Sequence, residues 1–189
     1  TRSVVVSTDV AGGVKTVEVV SSNYDEFGNS LNQTVTTTAV GDDGTVYSWS
    51  ENISNEYAGI EQVRGNVTRS TIVTTDAAGE TKTLDVAYEN YDAFGNAGKQ
   101  TVVTSVLNDD GETYFSTDEI TNEYAGVEQI RNNATKSTIV STDPDGNSKT
   151  VEIIYSGYDQ FGNAAGQEVL TTAVGDDGVT YTRTESMTN

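Results

Sequence analysis

Three groups of side chains in this sequence could do chemistry, and most of them recur at a fixed step. The first group is acidic. Asp42-Asp43, Asp109-Asp110 and Asp176-Asp177 are adjacent carboxylate pairs spaced 67 residues apart, and Asp143-Pro144-Asp145-Gly146-Asn147 sets two carboxylates and an amide within one loop. Hard oxygen ligands of this kind suit Ca²⁺, so Asp42, Asp43, Asp109, Asp110, Asp143, Asp145, Asp176 and Asp177 are the candidate metal ligands. The same residues suit tight turns without any ion, because Asp favours early turn positions and Gly supplies positive φ. The counterparts of the 143–147 loop, Asp9-Val10-Ala11-Gly12-Gly13 and Asp76-Ala77-Ala78-Gly79-Glu80, lack the second carboxylate, and no Glu closes an EF-hand loop. No cofactor is therefore required, and calcium is the one ion to test.

The second group is Lys15, Lys82 and Lys149 with Asn29, Asn96 and Asn163 and the acids Glu18, Asp85 and Glu152. Lysine, asparagine and a nearby acid are the ingredients of an intramolecular isopeptide bond, although a lysine opening a strand also serves as a soluble edge. The third group is the set of sequons at Asn32, Asn52, Asn66 and Asn133, where glycosylation is open to a host with the machinery. Catalysis fits poorly. With no Cys and no His there is no disulfide, no zinc site, no thiol nucleophile and no Ser-His-Asp triad. Paired carboxylates could serve a glycosidase, but every candidate pair is repeated threefold, and an active site in each short unit of an array is not how enzymes are built. We expect no catalytic residue and no enzyme.

The most distinctive motif is Tyr24-Asp25-Glu26-Phe27-Gly28-Asn29, repeated as Tyr91-Asp92-Ala93-Phe94-Gly95-Asn96 and Tyr158-Asp159-Gln160-Phe161-Gly162-Asn163. The motif resembles the Tyr-Asp dipeptide of YD-repeat, or Rhs-type, secreted bacterial proteins, and the whole chain resembles the tandem repeats of large bacterial surface adhesins. That resemblance implies an extracellular, cell-surface location. Read as structure, Tyr and Phe plug the end of a small sandwich while Gly and Asn form the turn.

The elements that must position these residues follow from the same 67-residue step, which carries no insertion or deletion. The chain divides into repeat 1 (1–67: core 1–55, connector 56–67), repeat 2 (68–134: core 68–122, connector 123–134) and repeat 3 (135–189, core only). Opening on Thr1, it reads as a piece of a longer array. Each core is expected to hold four strands, near 2–9, 15–23, 33–40 and 45–53. They are rich in Val, Ser and Thr, and Val17 and Val19 flank Glu18 as if one face were buried and one wet. The connector allows a short helix capped by Asn55 and ended by Gly65 or Asn132, or else a further strand. Its matched residues, including Tyr57/Tyr124, Gln62/Gln129 and Arg64/Arg131, suggest docking onto the cores and not a loose tether. The expected fold is all-β: three small antiparallel units arranged as an elongated rod or superhelix.

Charge sets the partners. Ten basic and 29 acidic residues leave −19, which repels phosphate backbones and excludes nucleic acid as a partner. No apolar run reaches the roughly 20 residues of a membrane helix, and no secretion signal lies in the segment. Expected partners are neighbouring repeats or identical subunits. The leading function is a structural segment of a stalk, adhesin or filament. A rival is a repeated binding module for a glycan or host protein, for which Trp49 is the obvious aromatic, although Ser116 and Arg183 stand at its equivalent positions. A third reading passes a strand or connector between subunits of a filament.

Overall fold

The computed structural model of the chain describes residues 1–8, 14–41, 44–107, 111–175 and 178–188. These are nearly all strand. In chain order they form β1 (Arg2–Thr8), β2 (Val14–Tyr24), β3 (Ser30–Val40), β4 (Val46–Glu56), α1 (Ile60–Arg64), β5 (Arg69–Thr75), β6 (Thr81–Tyr91) and β7 (Ala97–Leu107). Then follow β8 (Thr113–Glu123), α2 (Val127–Ile130), β9 (Lys136–Thr142), β10 (Ser148–Tyr158), β11 (Ala164–Val174) and β12 (Thr180–Thr188). The twelve strands make one open antiparallel sheet whose spatial order is the chain order. All-β architecture, expected from the Val/Thr/Ser strands, is what the chain adopts.

Two compact units divide the chain: residues 1–85 with 104–114, and residues 86–103 with 115–189. In the first, β1 to β5 pair in order, with Val5 opposite Val17, Val19 opposite Val35 and Ile53 opposite Ile72. In the second, β8 to β12 continue the same pattern, with Ile120 opposite Ile139 and Ile153 opposite Val169. Strands in each unit pack on their sequence neighbours. The sequence suggested a sandwich with one buried face; instead a single layer leaves both faces of β2 partly covered, with Val17, Glu18 and Val19 all half-buried. Among the described residues the buried apolar side chains are Val86, Ala97 and Ala164, all in the second unit. Cohesion in such a layer comes from ladder hydrogen bonds and cross-strand pairs, each pair contributing roughly 0.2–1 kcal/mol.

One cross-strand pair recurs at equivalent positions. Arg2 bridges Glu18, Arg69 bridges Asp85, and Lys136 bridges Glu152 at 2.6 Å. The repeated acids thus have their partner on the preceding strand. The isopeptide grouping does not assemble: Lys15 opens β2 whereas Asn29 lies beyond its far end, about 30 Å away along the strand.

The connectors do form helices, but short ones that begin late. Gly59 and Gly126 precede them, and Asn55 is not a cap; it sits in β4 and donates Nδ2 to Ser30 O at 3.3 Å. Gly65 ends α1 in the left-handed region, φ 76, as the glycine signal predicts. Asn132 takes the equivalent positive φ, 59.

Candidate functional site: the motif turn and its connector

The Asp-x-Phe-Gly-Asn part of the motif is a five-residue hairpin turn built around its Asp, and the Tyr before it ends the preceding strand. In the first copy, Asp25 Oδ1 accepts the backbone N–H groups of Phe27 and Asn29, both at 2.9 Å, while Asp25 N–H donates to Asn29 O at 3.0 Å. Gly28 N–H closes the turn on Asp25 O, with φ 87, a conformation in which a side chain costs energy. The second and third copies repeat these bonds from Asp92 and Asp159. Just before the turn, Asn23 and Asn90 hold φ of 52 and 58, and Gly157 takes φ 63 at the equivalent place.

The Asp145 loop proves to be the same device. Asp143 Oδ1 accepts the N–H groups of Asp145 and Asn147, and Oδ2 accepts Asn147 Nδ2 at 3.0 Å. Asp76 does likewise with Ala78 and Glu80. The Asp-x-x-Gly-x sequence therefore encodes a turn in five described places. Asp143 presents its oxygens to N–H donors, while Asp145 projects from the turn as an exposed side chain. Asp42, Asp43, Asp109, Asp110, Asp176 and Asp177 lie outside the described residues; among the described ones, no group of three acidic, His or Cys side chains could surround an ion.

What distinguishes the motif turn is a second set of bonds. In the first unit, Asn29 Nδ2 donates both to Asp25 Oδ2 at 2.9 Å and to Gln62 O at 2.8 Å, and Gln62 Nε2 donates to Asp25 Oδ2 at 3.2 Å. In the second unit, Asn96 Nδ2 donates to Asp92 Oδ2 and Gln129 O, both at 2.7 Å, and Gln129 Nε2 donates to Asp92 Oδ2 at 3.0 Å. Asp, Asn and Gln thus form a closed polar triangle that latches the connector to the turn. Tyr57 and Tyr124 add a hydroxyl bond to the strand after the turn, on Ser30 O and Ala97 O. Ser70 and Ser137, both buried, donate to Asn55 and Asn122 and tie the connector's exit strand to its entry strand.

The third turn lacks this second set among the described residues. Asn163 Nδ2 donates to Asp159 Oδ2 and the residue is exposed, whereas Asn96 is 3% exposed. Gly162 instead packs on the preceding connector, where an added Cβ would lie 3.1 Å from Asn133 Oδ1.

Electrostatics follow the donors. Partial burial works to raise the Asp92 carboxyl, but the N–H groups of Asn96, Gln129 and Phe94 outweigh it and hold the group at about 2. Asp25 is lowered by the same balance, burial opposing and Asn29, Gln62 and Phe27 prevailing. Asp159 is lowered first by the Asn163 amide. Burial, then the neighbouring Asp charge, pushes the Tyr57 and Tyr124 phenols up. At neutral pH these carboxylates are charged acceptors.

The aromatic rings differ from the buried plug the sequence suggested. Phe27 is 49% exposed, Phe94 55% and Phe161 79%. Trp49, by contrast, is half-buried with the Lys15 ammonium 5.9 Å from its ring centre. The sequon amides are also engaged: Asn66 Nδ2 donates to Glu61 and Asn133 Nδ2 to Glu128. Sequence reading picked out Asp, Gly and Asn of the motif, yet it missed the partnership with Gln62 and Gln129. The signal was present, since Gln is matched in the two connectors at the same distance, 33 residues, from the motif Asn. No helix is long and apolar enough to cross a membrane among the described residues. No family model, curated protein or solved structure matches the chain.

Proposed function

We propose that the chain is a non-catalytic structural segment of a secreted, cell-surface stalk, adhesin or extracellular filament. The observation that carries this reading is the latch: Asp25, Asn29 and Gln62, like Asp92, Asn96 and Gln129, have their polar atoms engaged in fixing a connector to a turn. A residue set devoted to internal geometry, repeated in register on an acidic surface, suits a part whose task is to be long and soluble. Antibody raised against the chain should label intact, unpermeabilised source cells. Labelling only after lysis would overturn the assignment.

A binding module is the second reading, and the exposed rings of Phe27, Phe94 and Phe161 favour it. Aromatic faces bury large area at small entropy cost, and Phe161 stands in a shallow depression with Arg131 and Asn133. A glycan or protein ligand held there would be lost from a Phe94→Ala, Phe161→Ala double variant that keeps its fold. Retained binding would remove the rings from the account.

A further inference from the structure

We infer that two copies of this chain stack face to face, the apolar face of β1 to β5 in one copy lying on the same face in the other. Such stacking goes beyond a structural role at the cell surface and does not depend on it.

The two faces of the sheet in the first unit differ. Residues directly opposite one another in an antiparallel ladder share a face, as do residues two apart along a strand. Val5 is opposite Val17, and Val19, two residues on from Val17, is opposite Val35. Val35 is opposite Glu51, and Ile53, two residues on, is opposite Ile72. These six apolar side chains therefore share one face, with Thr37 and Trp49 opposite each other between them. Thr34, Thr36 and Thr38 of β3, with Ser50 and Asn52 of β4, turn to the reverse face, where Val20 and Val73 extend the row of Thr34 and Asn52.

Burial follows the same division. Among the described residues of the first unit, the buried side chains are Thr37 at 6% exposure and Ser70 at 5%, and both lie on the apolar face. Val17, Val19, Val35, Ile53 and Ile72 are half-buried within a single layer, and an apolar sheet face is fully covered only by a second layer.

Area and charge both fit a second copy. Five strands roughly 4.8 Å apart span about 24 Å, and the shortest of them, of seven residues, are about as long. Two such faces stacked bury about 600 Å² in each copy, so about 1,200 Å² together, above the about 1,000 Å² that a specific interface needs. On the reverse face Arg2 is bridged to Glu18. On the apolar face the charged side chains are Lys15 and Glu51, and neither has an ion-pair partner among the described residues; Lys15 lies over Trp49.

Their placement is self-complementary. Lys15 is opposite Ala39 and Glu51 is opposite Val35, so the two stand on either side of β3 with Thr37 midway between them. By strand spacing and rise they are roughly 16 Å apart, too far to pair within one copy. A twofold axis parallel to the sheets, passing over Thr37 and perpendicular to the line from Lys15 to Glu51, sets each Lys15 on the Glu51 of the other copy. Val17, Val35 and Trp49 then surround the centre. The strands of the two copies cross steeply, as in orthogonal sheet packing, and the isologous contact closes at two copies.

Sedimentation of the 189-residue chain from about 5 μM to about 1 mM in 0.15 M salt should show the mass rising from 20.1 kDa to twice that value and no further. Lys15→Glu and Glu51→Lys each bring like charges together twice, so each should weaken self-association by about tenfold or more. An equimolar mixture of the two should recover the dimer, because every pair across the contact is again opposite in sign. Damage to the fold by either substitution would not be repaired by mixing. Val35→Asp should abolish the dimer, whereas Thr36→Asp, turned to the reverse face, should leave it intact, with circular dichroism reporting the fold of both. A monomer across the whole range, a mass passing beyond two copies, or mixed charge variants that associate no better than either alone would overturn the stacking. None of these results alters surface labelling of source cells, which tests the structural reading separately.

Discussion

At the scale of single residues, the decisive groups are a carboxylate and an amide. Asn96 is almost wholly covered and its Nδ2 bridges Asp92 and the Gln129 carbonyl. Asn96→Ala takes one donor from each of two acceptors in a partly buried site and should cost about 1–3 kcal/mol in urea unfolding. Asn163→Ala removes an exposed amide with one partner and should cost less than half as much; equal costs would mean the latch adds nothing to the turn. The charge on Asp92 matters too. Its folded value of about 2 lies below the unfolded value of about 3.9. Its contribution is therefore full above about pH 4 and lost as pH falls from about 4 to about 2. An Asp92→Asn variant should show a flatter acid limb over that window, and an unaltered limb would place the acid sensitivity elsewhere. The turn was legible because Asp-x-x-Gly carries its own mechanism. The latch was not, because the glutamine lies 33 residues away and nothing local reveals a bond across that distance.

At the scale of elements, the strands emerged from composition and the connector from its glycine. β-branched residues fit a pleated surface, and the observed strands begin and end within about three residues of the expected ones. The misplacement of the helix start has a physical cause. Asn55 carries the residue type of an N-cap, but Ser70 and Ser30 engage its side chain inside a ladder, and tertiary partners override the local preference. With only five residues, α1 cannot persist alone, and its neighbour α2 is shorter still. Both must be held by the latch. Gln129→Ala removes the Nε2 bond to Asp92, so hydrogen exchange across 127–133 should accelerate while exchange in β9 and β10 stays slow. Uniform acceleration would mean the connector and sheet open together, and no change would mean that backbone bonding alone suffices.

At the scale of the molecule, few buried apolar groups and a large excess of acid pull in one direction. The described residues include three buried apolar side chains, so no dense core outweighs repulsion among 29 acidic groups facing ten basic ones. The repeat made the strand sequence legible, whereas the number of layers was not: an alternating strand reads alike whether its half-covered face meets a second sheet or water. Salt separates the two electrostatic contributions. Exposed pairs such as Arg2 with Glu18 are worth about 0–1 kcal/mol each and weaken on screening. Repulsion spread over −19 charges acts at longer range and is relieved more, as the screening length falls from about 30 Å at 0.01 M to about 8 Å at 0.15 M. The melting temperature should therefore rise between those salt concentrations. A fall would show that the exposed pairs outweigh the net charge, and acidity would then be a property of the surface without consequence for the fold.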